Sequence, residues 1–193
     1  MPRIDRSSLM TLEEYARERP QFRARVMAHK KNRTVLLGED VVLVFEDELT
    51  IRYQVQEMLR VERTLEETGI QEELDAYNPL IPDGQNLKAT MMLEYPDPDR
   101  RRERLEELVG VENKVWMQAN ARERVWAIAD EDMERGNERK TSSVHFLRFE
   151  LTDDVARALK MGANLTMGVD HPRYSLEVQV PPPVRSSLVE DLF

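Results

Sequence analysis

Two different spacings of hydrophobic and polar positions run along this chain, and together they predict both strands and helices. Short apolar and β-branched runs bounded by turn residues predict strands. These runs cover residues 34–37, 41–45, 50–53, 87–95, 115–119, 125–129, 144–151, 165–169 and 176–180. Only short polar turns separate the first three runs, so we expect residues 34–53 to form a meander of three antiparallel strands.

Helical spacing fills much of the chain between the strands. Apolar residues three or four apart, with capping signals, predict helices at residues 11–19, 20–31, 54–68, 71–77, 99–109 and 152–161. Pro20 is favourable in a first helical turn, so we expect it to divide the first two helices. The charged stretch 130–141 predicts a loop. The sequence therefore indicates the α+β class, with an antiparallel or barrel-like sheet of about eight to nine strands.

The chain has the length of one domain, with 193 residues and no internal repeat. We expect a single domain with a helical segment at 9–31, an α+β core at 33–181 and a tail at 182–193. Three prolines at 181–183 end strand pairing before the tail. The apolar residues of the tail leave two alternatives, docking on the same chain or on a second copy in a homo-oligomer.

Composition restricts where the protein works. Hydrophobic residues make up 40% and charged residues 34%, which fits a folded core under a highly charged surface. The longest purely apolar run, Val41–Phe45, is too short to cross a membrane. The first residues lack the apolar segment of a signal peptide. We therefore expect a cytoplasmic protein with no membrane contact.

Charge is unevenly distributed, with a net value of −9. Residues 1–33 hold nine Lys and Arg against four Asp and Glu, whereas residues 39–83 hold three against thirteen. The two segments either form solvated or mutually facing surfaces, or the basic segment binds an acidic partner. The net charge makes nucleic-acid binding through residues 17–33 the weakest hypothesis.

The absence of cysteine limits the chemistry. It excludes disulfides, thiolate metal sites, thiolate-ligated clusters and a cysteine nucleophile. A cofactor would be a divalent metal held by carboxylates, carbonyls or the histidines His29, His145 and His171. The sequence also lacks a phosphate-binding glycine loop, a dinucleotide fingerprint and a nucleophile elbow. Whether the protein is an enzyme stays open at this point.

Three carboxylates in the helix predicted at 54–68 are candidate metal ligands. Glu62 lies near the middle of the apolar arc, and Glu66 follows one turn later, so the two could share a metal or a proton. Glu57 precedes them in the same helix. The alternatives are an ion pair between Glu62 and a basic side chain such as Arg52 or Arg60, or simply a helix end at the edge of the core.

Two histidines complete the candidate set. His171, between Asp170 and Pro172, is a candidate general base or metal ligand that Asp170 could orient. The alternative is a hairpin turn without chemistry. His145 shares the inward face of its strand and is either a hydrogen-bonded core residue or a metal ligand. We expect His29 on the solvated side of a basic helix.

Five segments, listed by their positions, resemble an uncharacterised bacterial family of unknown function: 12–22, 54–63, 71–82, 143–151 and 168–174. Genes of this family tend to lie beside those for rubrerythrin-like and iron–sulfur-cluster proteins. The resemblance implies a bacterial protein connected with redox or iron stress, with a rubrerythrin-like or iron–sulfur protein as partner. It supplies no catalytic residues.

Two functional hypotheses follow from these observations. The first is an accessory or interaction protein linked to redox or iron stress. The alternative is a small metal-dependent enzyme that uses Glu57, Glu62, His145 and His171.

Overall fold

A computed structural model describes residues 3–129 and 140–193. Its eight strands are β1 Thr34–Leu37, β2 Val41–Phe45, β3 Asn86–Leu93, β4 Val115–Ala119, β5 Val125–Trp126, β6 Val144–Glu150, β7 Leu165–His171 and β8 Tyr174–Gln179. Its six α-helices are α1 Leu12–Lys31, α2 Glu48–Glu62, α3 Glu67–Tyr77, α4 Pro98–Glu107, α5 Asp153–Lys160 and α6 Pro182–Val189. The predicted α+β class is confirmed. The loop predicted at 130–141 lies largely outside the described residues.

The strands form two four-stranded sheets in which every neighbouring pair is antiparallel. The first sheet has the order β1-β2-β3-β6, and the second has the order β5-β4-β7-β8. One pair of edges is joined where the backbones of Ile128 and Arg148 exchange two hydrogen bonds of 2.8 Å. At the opposite edges, the Tyr174 hydroxyl donates to the Leu37 carbonyl over 2.5 Å. The described strands do not form a closed barrel, so the barrel-like alternative is wrong.

The main core lies between the two sheets. Alternate side chains of both sheets point into it, and α4, α5 and α6 add further apolar side chains. The opposite face of the first sheet is covered by α2 and α3, whose apolar residues form a separate cluster around Val55 and Leu59. Helix α1 packs on α2 through Tyr15, Phe22 and Val26.

Helix α1 is continuous, and the predicted break at Pro20 is wrong. Pro20 lies inside the helix and is exposed. A proline inside a helix leaves the carbonyl four residues earlier without its usual donor. That residue, Ala16, is also on the exposed side, where water can supply the missing hydrogen bond.

Residues 50–53 belong to α2 and not to a strand, so the predicted three-stranded meander is wrong. The Asp47 carboxylate accepts a hydrogen bond from the Thr50 amide, and the Thr50 hydroxyl accepts one from the Asp47 amide, each 2.9 Å long. This capping box starts a helix that buries Ile51 and Val55. The third strand beside β2 is instead β3.

The tail docks on its own chain. Val184, Leu188 and Leu192 are buried in the main core. The Phe193 amide also donates to the Gly84 carbonyl over 3.0 Å. Of the two predicted alternatives, docking on the same chain is therefore correct for these tail residues. No helix in the described ranges has both the length and the apolar character needed to cross a membrane.

Candidate functional site

His171 and Asp170 lie at the hairpin between β7 and β8. The buried His171 ring donates from Nε2 to the Val109 carbonyl and accepts at Nδ1 from the Arg173 amide, both over 3.2 Å. Both ring nitrogens are therefore used by backbone groups, Nε2 as donor and Nδ1 as acceptor. Asp170 is exposed and lies 3.6 Å from an Arg124 nitrogen. The Arg173 amide of the turn and the Val109 carbonyl, which follows α4, together hold this histidine in place.

His145 is inward on β6, as its alternation predicts, and it is buried. Its Nε2 lies 2.9 Å from the Thr141 hydroxyl and 3.0 Å from the Ser142 carbonyl. These two partners precede the strand and orient the ring within the core.

The three candidate carboxylates of α2 are separated by the end of the helix. Arg63 has a positive φ of 55° and ends α2 directly after Glu62. Glu62 and Glu66 are consequently exposed, and Leu65 lies beyond the helix. The predicted inward position of Glu62 is wrong, because the apolar arc that suggested it includes Leu65. The basic residues proposed as its partners pair elsewhere: Arg52 lies 3.4 Å from Glu48, and Arg60 lies 3.2 Å from Glu57.

Glu57 is the most strongly bound of the three. Its carboxylate accepts from Arg19 over 2.7 and 2.9 Å, and from the Tyr15 hydroxyl over 2.7 Å. Arg19, with help from Tyr15 and Arg60, lowers the pKa of Glu57 from 4.5 to about 2. This carboxylate links α1 to α2 and is ionised at neutral pH.

We expect Glu57→Gln to lower the free energy of unfolding by about 1.5–3 kcal/mol at pH 7, because it removes the charge from these hydrogen bonds. A carboxyl group whose pKa is lowered by folding contributes stability above its unfolded pKa and loses it as the pH falls. The difference from wild type should therefore shrink between pH 4.5 and about 2. Urea unfolding at pH 7 and pH 3 measures this difference in the free energy of unfolding between Glu57→Gln and the wild type. Glu67→Gln, at the exposed pair with Arg6, is the control; equal losses in both variants would contradict this account.

The described residues contain no group of three or more histidines and carboxylates arranged to hold a metal ion. Glu57, Glu62, Glu66, His145 and His171 thus lie in separate environments: an ion-pair network, an exposed helix end, the core and a hairpin.

A charged cluster that the sequence did not predict surrounds Arg33, which is only 1% exposed. Its guanidinium donates to the carbonyls of Phe45, Glu46 and Ser187 over 3.0–3.2 Å and to the Asp191 carboxylate. Asp47 lies 3.5 Å away. Arg33 thereby joins β2, the start of α2 and the tail.

His29 and Asp191 complete this cluster. His29 Nε2 lies 2.5 Å from the Asp47 carboxylate, so this histidine is half-buried and paired, not solvated as predicted. Burial raises the pKa of Asp191 to about 6, with Asp47 and Glu190 acting in the same direction and Arg33 opposing them. Burial raises the pKa of Asp47, but Arg33, the hydrogen bond from the Thr50 backbone amide and the His29 side chain together lower it below its usual value.

A cleft of about 280 Å³ lies beside this cluster, between the start of α2 and the tail. Asp47 and Asp191 contribute to its polar wall, and Ile81, Pro82 and Phe193 contribute to its apolar wall. The ion pairs with Arg33 account for the two aspartates, so we read the cluster as the clamp that holds the tail.

A pocket of about 220 Å³ lies on the outer face of the first sheet. Its walls are mostly apolar, but Lys30, Glu46, Gln54 and Thr90 also line it. Glu46 directly follows β2, and only the sheet register shows that it faces this pocket together with Thr90 of β3. No local pattern along the chain indicates this arrangement.

The corner between α2 and α3 exposes two large apolar side chains. Val61 is 65% exposed and Leu65 is 75% exposed. The segments that carry them also expose the acids Glu62, Glu66 and Glu72, which outnumber the exposed Arg60 and Arg63. Partial burial, with Glu62 and Glu72 acting in the same direction, raises the pKa of Glu73. We call Val61, Leu65 and these acids the α2–α3 corner.

The geometry defines an α+β protein of two antiparallel sheets. A family model described as "Protein of unknown function (DUF3501)" matches residues 3–192, and the chain belongs to this family. It is similar to a solved structure of a novel protein of unknown function from Burkholderia pseudomallei K96243. The two share 52% sequence identity over 100% of both chains, with a TM-score of 0.95. No functionally curated protein matches the chain.

Proposed function

We propose that the protein is an accessory protein that binds a partner protein, and that the α2–α3 corner is the docking surface. The exposure of Val61 and Leu65 beside an excess of exposed carboxylates carries this proposal. Single exposed apolar residues are common, but apolar groups rimmed by charge are typical of protein interaction sites. The partner that this surface fits has an apolar centre with basic side chains around it.

The proposed process is redox or iron handling, with a rubrerythrin-like or iron–sulfur protein as the partner. This part of the proposal rests on the family resemblance and its gene neighbourhood.

Isothermal titration calorimetry tests the proposal. It measures binding of this protein to the rubrerythrin-like and iron–sulfur proteins whose genes lie beside those of the family. We expect Val61→Ser/Leu65→Ser to weaken binding by about tenfold or more, because each buried apolar side chain contributes about 1.5–3 kcal/mol. Added salt should weaken binding of the wild type as it screens the carboxylates. Circular dichroism establishes that the variant is folded.

The matched control is Met161→Ser. Met161 is 81% exposed after α5, outside the corner, so its replacement should leave the affinity unchanged. Absence of binding to both candidate partners would overturn the proposal, as would equal effects of the two variants. Stoichiometric iron, manganese or zinc in the purified protein, lost in Glu62→Ala or His171→Ala, would favour the metal-dependent enzyme instead.

A further inference from the structure

The pocket on the outer face of the first sheet has walls fixed by strand pairing. Val44 of β2 lies opposite Thr90 of β3, and Thr90 lies opposite Phe146 of β6. Met92 and Val144 form the next cross-strand pair. Ile51 of α2 and Leu80 complete the apolar lining from the helical side. The shape of the pocket is therefore set by the sheet and the helices packed on it.

Glu46 places a carboxylate in this apolar setting. The residue is only 8% exposed. Its Oε1 accepts from the Thr90 hydroxyl over 2.6 Å, and its Oε2 accepts from the Thr50 hydroxyl over 2.5 Å. Within the described ranges, no Lys, Arg or His nitrogen forms an ion pair with this carboxylate.

The direct partners of the Glu46 carboxylate are two neutral hydroxyl donors, and no cation of the described ranges lies within ion-pair distance of it. A buried carboxylate is costly when its charge is not fully compensated, and each of its oxygens retains capacity to accept another hydrogen bond. Arg33 compensates Asp191 in the neighbouring cluster, but its contact with residue 46 is to the backbone carbonyl. The pocket side of Glu46 is thus suited to a cationic N–H donor.

The same pocket also contains a positive charge. Lys30, near the end of α1, lines it together with the Gln54 amide of α2. The Lys30 ammonium lies 5.9 Å from the centre of the Tyr53 ring, which stabilises it without neutralising its charge. A ligand that satisfies the pocket therefore carries a cation for Glu46, an anion for Lys30 and an apolar body for the remaining walls.

We propose that this pocket binds a small zwitterion with an apolar body, of the α-amino-acid type. Its ammonium group pairs with Glu46 and its carboxylate with Lys30. The volume of about 220 Å³ is below the usual range for drug-sized ligands. It equals about seven water volumes of roughly 30 Å³, which suits a ligand on the order of ten non-hydrogen atoms.

Three probes with nearly the same apolar body test each charge separately: L-leucine, isoamylamine and 4-methylpentanoate. Binding is followed by NMR of the protein with ¹³C-labelled methionine methyl groups. Met92 lines the pocket and reports on it, whereas the exposed Met161 serves as an internal control. We expect L-leucine to shift the Met92 signal at the lowest concentration, because it alone carries both charges.

Two variants assign the charges. Glu46→Gln should weaken L-leucine binding about tenfold or more, since it removes a charge-assisted hydrogen bond. Lys30→Met should weaken L-leucine binding and leave isoamylamine binding unchanged. Glu177→Gln, an exposed acid on β8, is the matched control for loss of one negative charge. Melting curves show whether each variant is folded. If Glu46→Gln is unfolded, the comparison of L-leucine with isoamylamine binding to Lys30→Met decides the outcome.

The proposal is overturned if none of the probes shifts the Met92 signal at millimolar concentration. Equal affinity for all three probes would also overturn it, because a purely apolar pocket would then account for binding. The Val61→Ser/Leu65→Ser variant should bind L-leucine as the wild type does. The ligand proposal and the docking-surface proposal are therefore tested independently of each other.

Discussion

Arg33→Ala is expected to lower the free energy of unfolding by about 3–5 kcal/mol, the cost of breaking a buried ion pair by removing one partner. The substitution leaves the Asp191 carboxylate buried without its counter-charge. It also removes the side-chain donor from the carbonyls of Phe45, Glu46 and Ser187. Loss of the clamp should therefore weaken the attachment of the tail as well as the overall stability.

Urea denaturation at pH 7 measures this loss. Arg33→Lys keeps the charge but lacks the planar fork that reaches several acceptors at once, so its stability should lie between wild type and Arg33→Ala. The control is Arg122→Ala, at the largely exposed pair with Asp154, where a change within about 1 kcal/mol is expected. Similar destabilisation by Arg33→Ala and Arg122→Ala would show that the buried network is not what holds the tail.

Gly168→Ala is expected to destabilise the protein by about 1–3 kcal/mol through overpacking. A Cβ atom at Gly168 of β7 would lie 2.5 Å from Trp116 Cζ2 and 2.6 Å from the Leu176 carbonyl oxygen. Trp116 is buried, and the Arg124 guanidinium lies 3.8 Å from the centre of its ring. The Leu176 oxygen belongs to the paired backbone of β8, so neither neighbour can move without disturbing the second sheet.

Thermal unfolding of Gly168→Ala compares directly with that of Gly69→Ala. A Cβ atom at Gly69 meets only the Thr64 Cγ2 methyl group at 2.6 Å, and that side chain can rotate away. Because alanine also favours helices, Gly69→Ala in α3 should be neutral or stabilising. An unchanged melting temperature for Gly168→Ala would mean that the second sheet adjusts more easily than its packing indicates.

Local patterns predicted those parts of the fold that depend on neighbouring residues. The alternation in 144–151 placed His145 inward, and the turn residues at 170–174 predicted the hairpin of β7 and β8. In these cases the spacing of the side chains and the residue types of the turn are enough to predict the structure.

The same patterns failed where a single interaction overrides composition. Residues 50–53 are rich in β-formers, but the capping box at Asp47 starts a helix there. Pro20 remains within α1 because it lies on the solvent side of the helix. Each outcome depends on the position of one side chain, which periodicity does not resolve.

The candidate sites were least predictable, because their partners are distant in sequence. Arg33 belongs to a basic run, and nothing near it indicates pairing with Asp191. Glu46 reaches Thr90, 44 residues away, only through the pairing of β2 with β3. Glu62 and His171 were candidates because of their residue type. Which residues come together in a site depends on how the strands and helices are arranged, and residue type does not show this.

The Arg33–Asp191 pair also has a consequence for biosynthesis. Its members are 158 residues apart. At about 5–20 residues per second, a ribosome needs on the order of ten to thirty seconds to make the intervening chain. During this interval Arg33, between α1 and β1, has emerged from the ribosome but has not yet met the partner with which it is buried in the folded protein. Nascent chains should therefore stay protease-sensitive near residue 33 until the tail has left the exit tunnel.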